Sequence, residues 1–289
     1  MHATHTITQP AELLPFLFAA HPEVKRTKIR QWLKYGSIQV NGLPASRTNH
    51  PLQVGDVVLI APSQEAPAKT SLPAGLRIVF EDESLLVIDK PENLLSMASD
   101  TEKDKTVYAF LTDYVRRGNP RSPERVWIVH RLDFETSGLM VFARTEDAKR
   151  ILQENWDQTE KRYLAVVEGA PPEEQGTVTS HLDESGPYKV FSAPAGEQTR
   201  LAITDYKILQ RSADFSQVEL ILQTGRRNQI RVHMADLGCP VVGDRKYGAQ
   251  TNPARRVALH ASFLRICHPV SGEFLNFESP LPGNLARLL

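Results

Sequence analysis

Three stretches of this 289-residue chain gather residue types that could do chemistry together. The densest runs from Ile128 to Phe142, where His130, Arg131, Asp133, Glu135 and Thr136 lie between two apolar segments. A carboxylate there sits on a connection between two buried strands, where a rigid scaffold can present a catalytic group. Asp133 could serve as nucleophile, as general acid or base, or as metal ligand. The competing reading is a hairpin loop in which Asp133 and Thr136 bond the backbone as turn residues. The second stretch, Thr224 to Gly238, holds Arg226, Arg227, Asn228, Gln229, Arg231 and His233. A helix starting near Asn228 puts Gln229, Val232 and His233 on one face and Ile230 and Arg231 away from it, with Asn228 suited to the N-cap. An arginine there could pair with a buried carboxylate and keep it ionised. The competing reading is a basic amphipathic helix laid on the core. In the third stretch, Lys161 to Gly169, Tyr163 opens a strand, and packing is its default role.

The elements that must position these groups are mixed. Strands are expected at 85–88, 127–129, 139–143, 163–167, 201–209, 218–222 and 263–267, and helices at 106–117, 145–155 and 229–237. Strands outnumber helices without alternating with them. The fold class is therefore α+β with a largely antiparallel (mixed) central sheet, preceded by a small α+β domain. That small domain shows a helix over 28–35, a strand at 37–40, an Asn41-Gly42 turn and a strand at 56–60. Prolines and small residues without periodicity mark a linker. The expected division is 1–62, a linker at 63–75, and 76–289.

Lys plus Arg number 34 and Asp plus Glu number 34, a net charge of zero. The sum hides a separation. Residues 22–50 carry six basic residues against Glu23 alone; 71–224 carry 18 basic and 26 acidic; 225–265 carry eight basic and two acidic. Two basic blocks around an acidic middle point to a polyanionic partner more than the total does. The longest apolar run, Leu13 to Ala20, is broken by Pro15 and far too short to span a bilayer. Cys239 and Cys267 form no metal-ligand pair, and the histidines show no ligand spacing. The phosphate-binding glycine motifs and the Gly-x-Ser-x-Gly elbow are missing. A cytoplasmic compartment is the expectation, and if the chain is an enzyme it is expected to work without a cofactor or metal.

In order along the chain, Leu85-Leu86-Val87-Ile88-Asp89-Lys90-Pro91, His130-Arg131-Leu132-Asp133-x-x-Thr136-Ser137-Gly138, Lys161-x-Tyr163-x-Ala165 and Thr224-Gly225-Arg226-x-x-Gln229-Ile230-Arg231-Val232-His233 are followed by Gly243-Asp244-x-x-Tyr247-Gly248 and Leu259-His260-Ala261. Together they resemble the RluA-type RNA pseudouridine synthases, over roughly residues 76–289. One departure is Asn228, where members commonly carry His. It is expected to touch RNA contact or helix capping more than chemistry. Residues 28–58 resemble the small RNA-binding domain named after a small-subunit ribosomal protein. The usual Ser-Arg pair is replaced there by Arg26-Thr27, and the Arg-Leu-Asp start is absent.

The resemblance implies isomerisation of uridine to pseudouridine in structured RNA, ribosomal RNA favoured over transfer RNA, by a monomer acting without a membrane. It implies Asp133 as the catalytic aspartate, attacking the sugar, adding to the base or removing a ribose proton. It implies Arg231 as the partner cation, and Tyr163 stacking on the base or accepting a proton. Arg131 and His130 are assigned to the RNA around a flipped uridine, Arg226 and Arg227 to phosphates. Lys25, Arg26, Lys28, Arg30 and Lys34 are assigned to RNA through the small domain. Two rival readings stand beside this one. A non-enzymatic RNA-binding module would have no use for Asp133 and Tyr163 together. An Asp-dependent hydrolase would want a second carboxylate, for which Glu135 is the near candidate.

Overall fold

The computed structural model describes residues 3–24, 26–34, 37–45, 47–60, 72–99, 102–117, 119, 121–186 and 188–289. The chain divides into two compact units, one of residues up to 71 with 117–122, the other of 72–116 with 123–289. In the first unit, strands run in the order Ala3–Thr6, Val57–Ile60, Ile38–Val40, Leu43–Pro44, all antiparallel. Helices Leu13–Ala20 and Arg26–Lys34 supply Leu13, Leu17, Ile29 and Leu33 to the core of this unit. The apolar run that Pro15 interrupts is a helix. Pro15 stands in the first turn, where a backbone N–H has no intrahelical acceptor to lose.

The second unit is built on an eleven-stranded sheet. Its main path runs Phe191–Ala193, Gln175–Asp183, Thr199–Arg211, Phe215–Leu222, Glu160–Glu168, Leu259–Cys267, Ser137–Ala143, Leu85–Lys90, Arg77–Glu81. The ladder between Ser137–Ala143 and Leu259–Cys267 is parallel. The other ladders among the described residues are antiparallel. The sheet is thus mixed, as expected. At the parallel junction Ser137 lies opposite His260 and Gly138 opposite Ala261. Gly138 has φ 114°, and a Cβ on it would run into the Ala261 backbone. Only glycine lets the two strands meet there.

Helices Val107–Val115 and Glu146–Glu154 start one residue after their expected threonines, because Thr106 and Thr145 are N-caps. Each hydroxyl accepts the third following N–H, from Ala109 and from Ala148. Strands Gln175–Asp183 and Phe274–Glu278 were not expected. Gln175–Asp183 is mostly polar or glycine, with one buried apolar side chain, Leu182, so it carries no hydrophobic alternation to read.

Helix Gln229–Asp236 corrects the amphipathic reading. Every side chain from Gln229 to Met234 is buried, the polar ones included. His233 is wholly buried, with its ring nitrogens 2.8 Å from Thr204 Oγ1 and 3.0 Å from Ser180 Oγ. Burial pushes its pKa down to about 4. The folded chain therefore keeps His233 neutral, while the unfolded chain takes up a proton below its ordinary pKa of 6.5. The stability this neutral form contributes is complete above pH 6.5 and is lost as pH falls towards 4. Urea unfolding of the wild type should weaken over that window. A His233→Gln variant should show a slope shallower by up to about 1.4 kcal/mol per pH unit. Equal slopes would remove His233 from the acid response.

Candidate active site

Asp133 sits in the turn leading into the Ser137–Ala143 strand. Its carbonyl accepts the Thr136 N–H at 3.2 Å, so the turn reading holds for the backbone. Its side chain does something else and faces a cleft it shares with Arg131, Tyr163, Arg226, Asn228 and Arg231. The turn is fastened from below by the segment that follows strand Leu85–Lys90. Ser96 Oγ donates to the Leu132 carbonyl at 2.7 Å and accepts the Leu132 N–H at 3.2 Å. Lys90 Nζ donates to the carbonyls of Leu94 (2.8 Å), Pro91 (3.0 Å) and Phe134 (3.3 Å). Lys90 is fully buried, and burial pulls its pKa down to about 7 against the attraction of Asp133.

Arg231, 2% exposed, lies against three carboxylates. Asp244, itself 1% exposed, takes Nε at 2.6 Å and Nη2 at 2.9 Å. Nη1 faces Glu135 Oε2 at 3.2 Å and Asp133 Oδ2 at 3.5 Å. Burial disfavours the charge, but the Asp244 hydrogen bonds and the three negative charges outweigh it, so the guanidinium stays protonated. The expected pairing of Arg231 with Asp133 is therefore one of three, and the looser one. Asp244 is delivered by a turn at Gly243, where a Cβ would strike the Arg256 carbonyl.

Tyr163 is 8% exposed and lines the same cleft with Leu222, Ile230 and Leu259. Burial, then the negative charge of Asp133, raise its pKa well above the usual phenol range. The phenol is thus held in its neutral form. Arg131 is exposed at the cleft mouth. Arg226 also borders the cleft, with Nε donating to the Leu201 carbonyl at 3.0 Å.

Other expected contacts lie elsewhere. His130 is turned inward: its Nε2 accepts the Val141 N–H at 3.1 Å and its ring packs on Trp156. Burial, then the charge of Lys161, push its pKa down to about 3, so it is a neutral brace for the strand and not a phosphate contact. The Arg227 guanidinium donates to the carbonyls of Glu184 and Gly186, securing that loop. Asn228 stands at the N-cap position, as expected, but with φ 53° and without a side-chain hydrogen bond to the helix end. Its amide instead donates to Asp133 Oδ2 at 2.6 Å. In the first unit Arg26, Lys28 and Arg30 are exposed on the helix that buries Ile29 and Leu33. Arg26 and Arg30 lie 5.2 and 5.7 Å from the Phe18 ring centre. Lys25 and the side chain of Lys34 lie outside the described residues.

Sequence reasoning gave no role to Lys90, Ser96, Gln229, Asp244 or Tyr247. Gln229 accepts from Thr224 Oγ1 and Arg226 N and donates to Ile203 O and Thr204 Oγ1, fixing the turn before the helix. The signal for most of them was present, because Lys90, Gln229, Asp244 and Tyr247 stand inside the motifs that carry the family resemblance.

The fold is a mixed-sheet α+β domain with a cleft that brings Asp133, Tyr163 and Arg231 together, and comparison with known proteins shows its family. Residues 84–236 match the family described as RNA pseudouridylate synthase. A relative in Bacillus subtilis, the uncharacterized RNA pseudouridine synthase YlyB, is 34% identical, covering 95% of this chain and 91% of its own. Ribosomal large subunit pseudouridine synthase D of Xanthomonas campestris is 35% identical over 93% of this chain and 85% of its own. The solved structure of human RNA Pseudouridylate Synthase Domain Containing 4 matches with a TM-score of 0.61 and 26% identity, over 73% of this chain and 92% of that one. The chain belongs to the RNA pseudouridylate synthase family, and its reaction is the isomerisation of uridine to pseudouridine in RNA.

The arrangement around Arg231 makes a direct demand on stability. Asp244→Asn leaves the buried guanidinium without its close partner and should lower stability by roughly 3 kcal/mol. Urea unfolding of the variant measures it, and a change below about 1 kcal/mol would show that Glu135 and Asp133 suffice.

Proposed function

We propose that Asp133 is the catalytic residue of this synthase, that Arg231 is its partner cation and Tyr163 the platform for the flipped base. The observation that carries the reading is that the Asp133 carboxylate lines a cleft with Tyr163 and lies 3.5 Å from a charged, buried arginine. The reaction breaks the bond from uracil N1 to ribose C1′, turns the base and joins C5 to C1′, with C5 losing its proton and N1 gaining one. Attack on the sugar, addition to the base and removal of a ribose proton each need the carboxylate form of Asp133. A uridine inside folded RNA must first leave its stack, at a cost of a few kcal/mol. Arg131 at the cleft mouth suits the flanking phosphate or the vacated position. The target favoured by the ribosomal relative is large-subunit ribosomal RNA. Action as a monomer is part of the same proposal.

Asp133→Asn should abolish tritium release from RNA labelled at uracil C5 while leaving RNA affinity within about twofold. Turnover above a hundredth of the wild-type rate would sink the assignment. Mapping pseudouridines in ribosomal and transfer RNA from cells lacking this gene identifies the target. The small unit is proposed to bind phosphates through Arg26, Lys28 and Arg30. Replacing all three with alanine should weaken binding. It should also flatten the dependence of log affinity on log salt by about one for each phosphate that is no longer neutralised. An unchanged slope would take the small unit out of RNA binding.

A further inference from the structure

Asn228 occupies a left-handed backbone conformation and is 9% exposed, and its side chain is spent on the site instead of the helix end. Every polar atom of its amide has a partner that fixes which way round it lies. Nδ2 donates to Asp133 Oδ2 at 2.6 Å. Oδ1 accepts from the Tyr247 hydroxyl at 3.1 Å and from Lys246 Nζ at 3.3 Å. The flipped amide would set oxygen against the Asp133 carboxylate and N–H groups against the Lys246 ammonium, so the neighbours allow one orientation. Tyr247 is itself anchored, because its oxygen accepts the Val190 N–H at 3.1 Å. The contact to Asp133 is shorter than that of Arg231, and both fall on Oδ2.

We propose that Asn228 is a positioning residue for Asp133: its amide, oriented by Tyr247 and Lys246, holds Oδ2 and sets the carboxylate's rotation, leaving Oδ1 for the substrate. The proposal rests on the reading of Asp133 as the catalytic residue. It also divides the labour around that carboxylate. Arg231 supplies charge but is committed to Asp244, whereas Asn228 supplies direction. The groups around the carboxylate are then Arg231 and Asn228 from the helix, Lys246 and Tyr247 from the turn after it, Tyr163 from its strand, Glu135 on its own turn, and Lys90 below. Among these Asn228 is the neutral donor in direct contact with Asp133.

Two substitutions at Asn228 separate positioning from mere support of the fold. Asn228→Gly removes the amide and keeps the left-handed backbone at no steric cost, so folding is preserved. Its kcat should fall about ten- to a hundredfold with KM within about threefold, the size expected for a misplaced reacting group. Asn228→Asp replaces the donor with a second carboxylate. Its kcat should fall further, and the acid limb of its pH–kcat profile should move to higher pH. Tyr247→Phe, which releases the amide's orientation, should show a smaller loss in kcat of the same kind. Turnover is read as tritium release from C5-labelled RNA of cells lacking the gene, with Asp133→Asn in parallel. A kcat for Asn228→Gly within twofold of wild type, beside an inactive Asp133→Asn, overturns the proposal. So does a fall in kcat accompanied by a lowered Tm, with the Asn228→Asp pH profile unmoved. Turnover by Asp133→Asn overturns instead the reading of Asp133 itself.

Discussion

The site is organised around a cation that water cannot reach. Taking a guanidinium out of water costs several kcal/mol unless its donors are met in good geometry. Asp244 meets two of the Arg231 nitrogens, and Nη1 is left over for Glu135 and Asp133. The order of these distances matters more than their number. Because Asp244 satisfies the arginine, the Asp133 carboxylate is not needed to keep that buried charge paired. A tight Asp133–Arg231 pair would have made the Asp133 carboxylate part of the structural fabric. The buried helix Gln229–Asp236 and the Gly243 turn serve this division by bringing the cation and its permanent partner together.

The same burial changes what the charge pattern means. Eight basic residues in 225–265 read as a surface for phosphates. Arg231 is absorbed by Asp244, and Arg256, 5% exposed, pairs with Glu92 and donates to Ser137. Arg227 is turned to backbone carbonyls. The cations that remain exposed in that block include Arg245, Lys246 and Arg255. A count along the chain cannot separate arginines that build a scaffold from arginines that meet a polyanion, since both are simply positive in sequence.

The mixed sheet, the buried central strands and the helices were legible because apolar runs and threonine caps are local signals. Asp133, Arg231 and Tyr163 converge on one cleft, and their motifs announced them. What could not be read was orientation. His130 stands three residues from Asp133 and points into the Val141 backbone, while Asn228 looks like a cap and is a partner for Asp133 from 95 residues away. Such outcomes depend on which way a side chain leaves a turn, and residue type alone does not fix that. Strand Gln175–Asp183 was missed for a different reason: it is held by backbone pairing along Thr199–Arg211 and buries little apolar surface of its own.

The parallel ladder at Gly138 and Ala261 joins strands more than a hundred residues apart, and the Asp133 turn feeds directly into it. Contacts of such sequence separation carry a large loop-closure cost and form late. During synthesis the stretch that carries Asp133 emerges well before its partner strand, and the helix that bears Arg231 and Asn228 comes in between. Until Leu259–Cys267 pairs with Ser137–Ala143, the central sheet is split and its two halves have no shared ladder through which to fix the turn. The last strand of the main sheet path to be made is therefore the one that joins the two halves of the sheet and closes the wall of the cleft with Leu259.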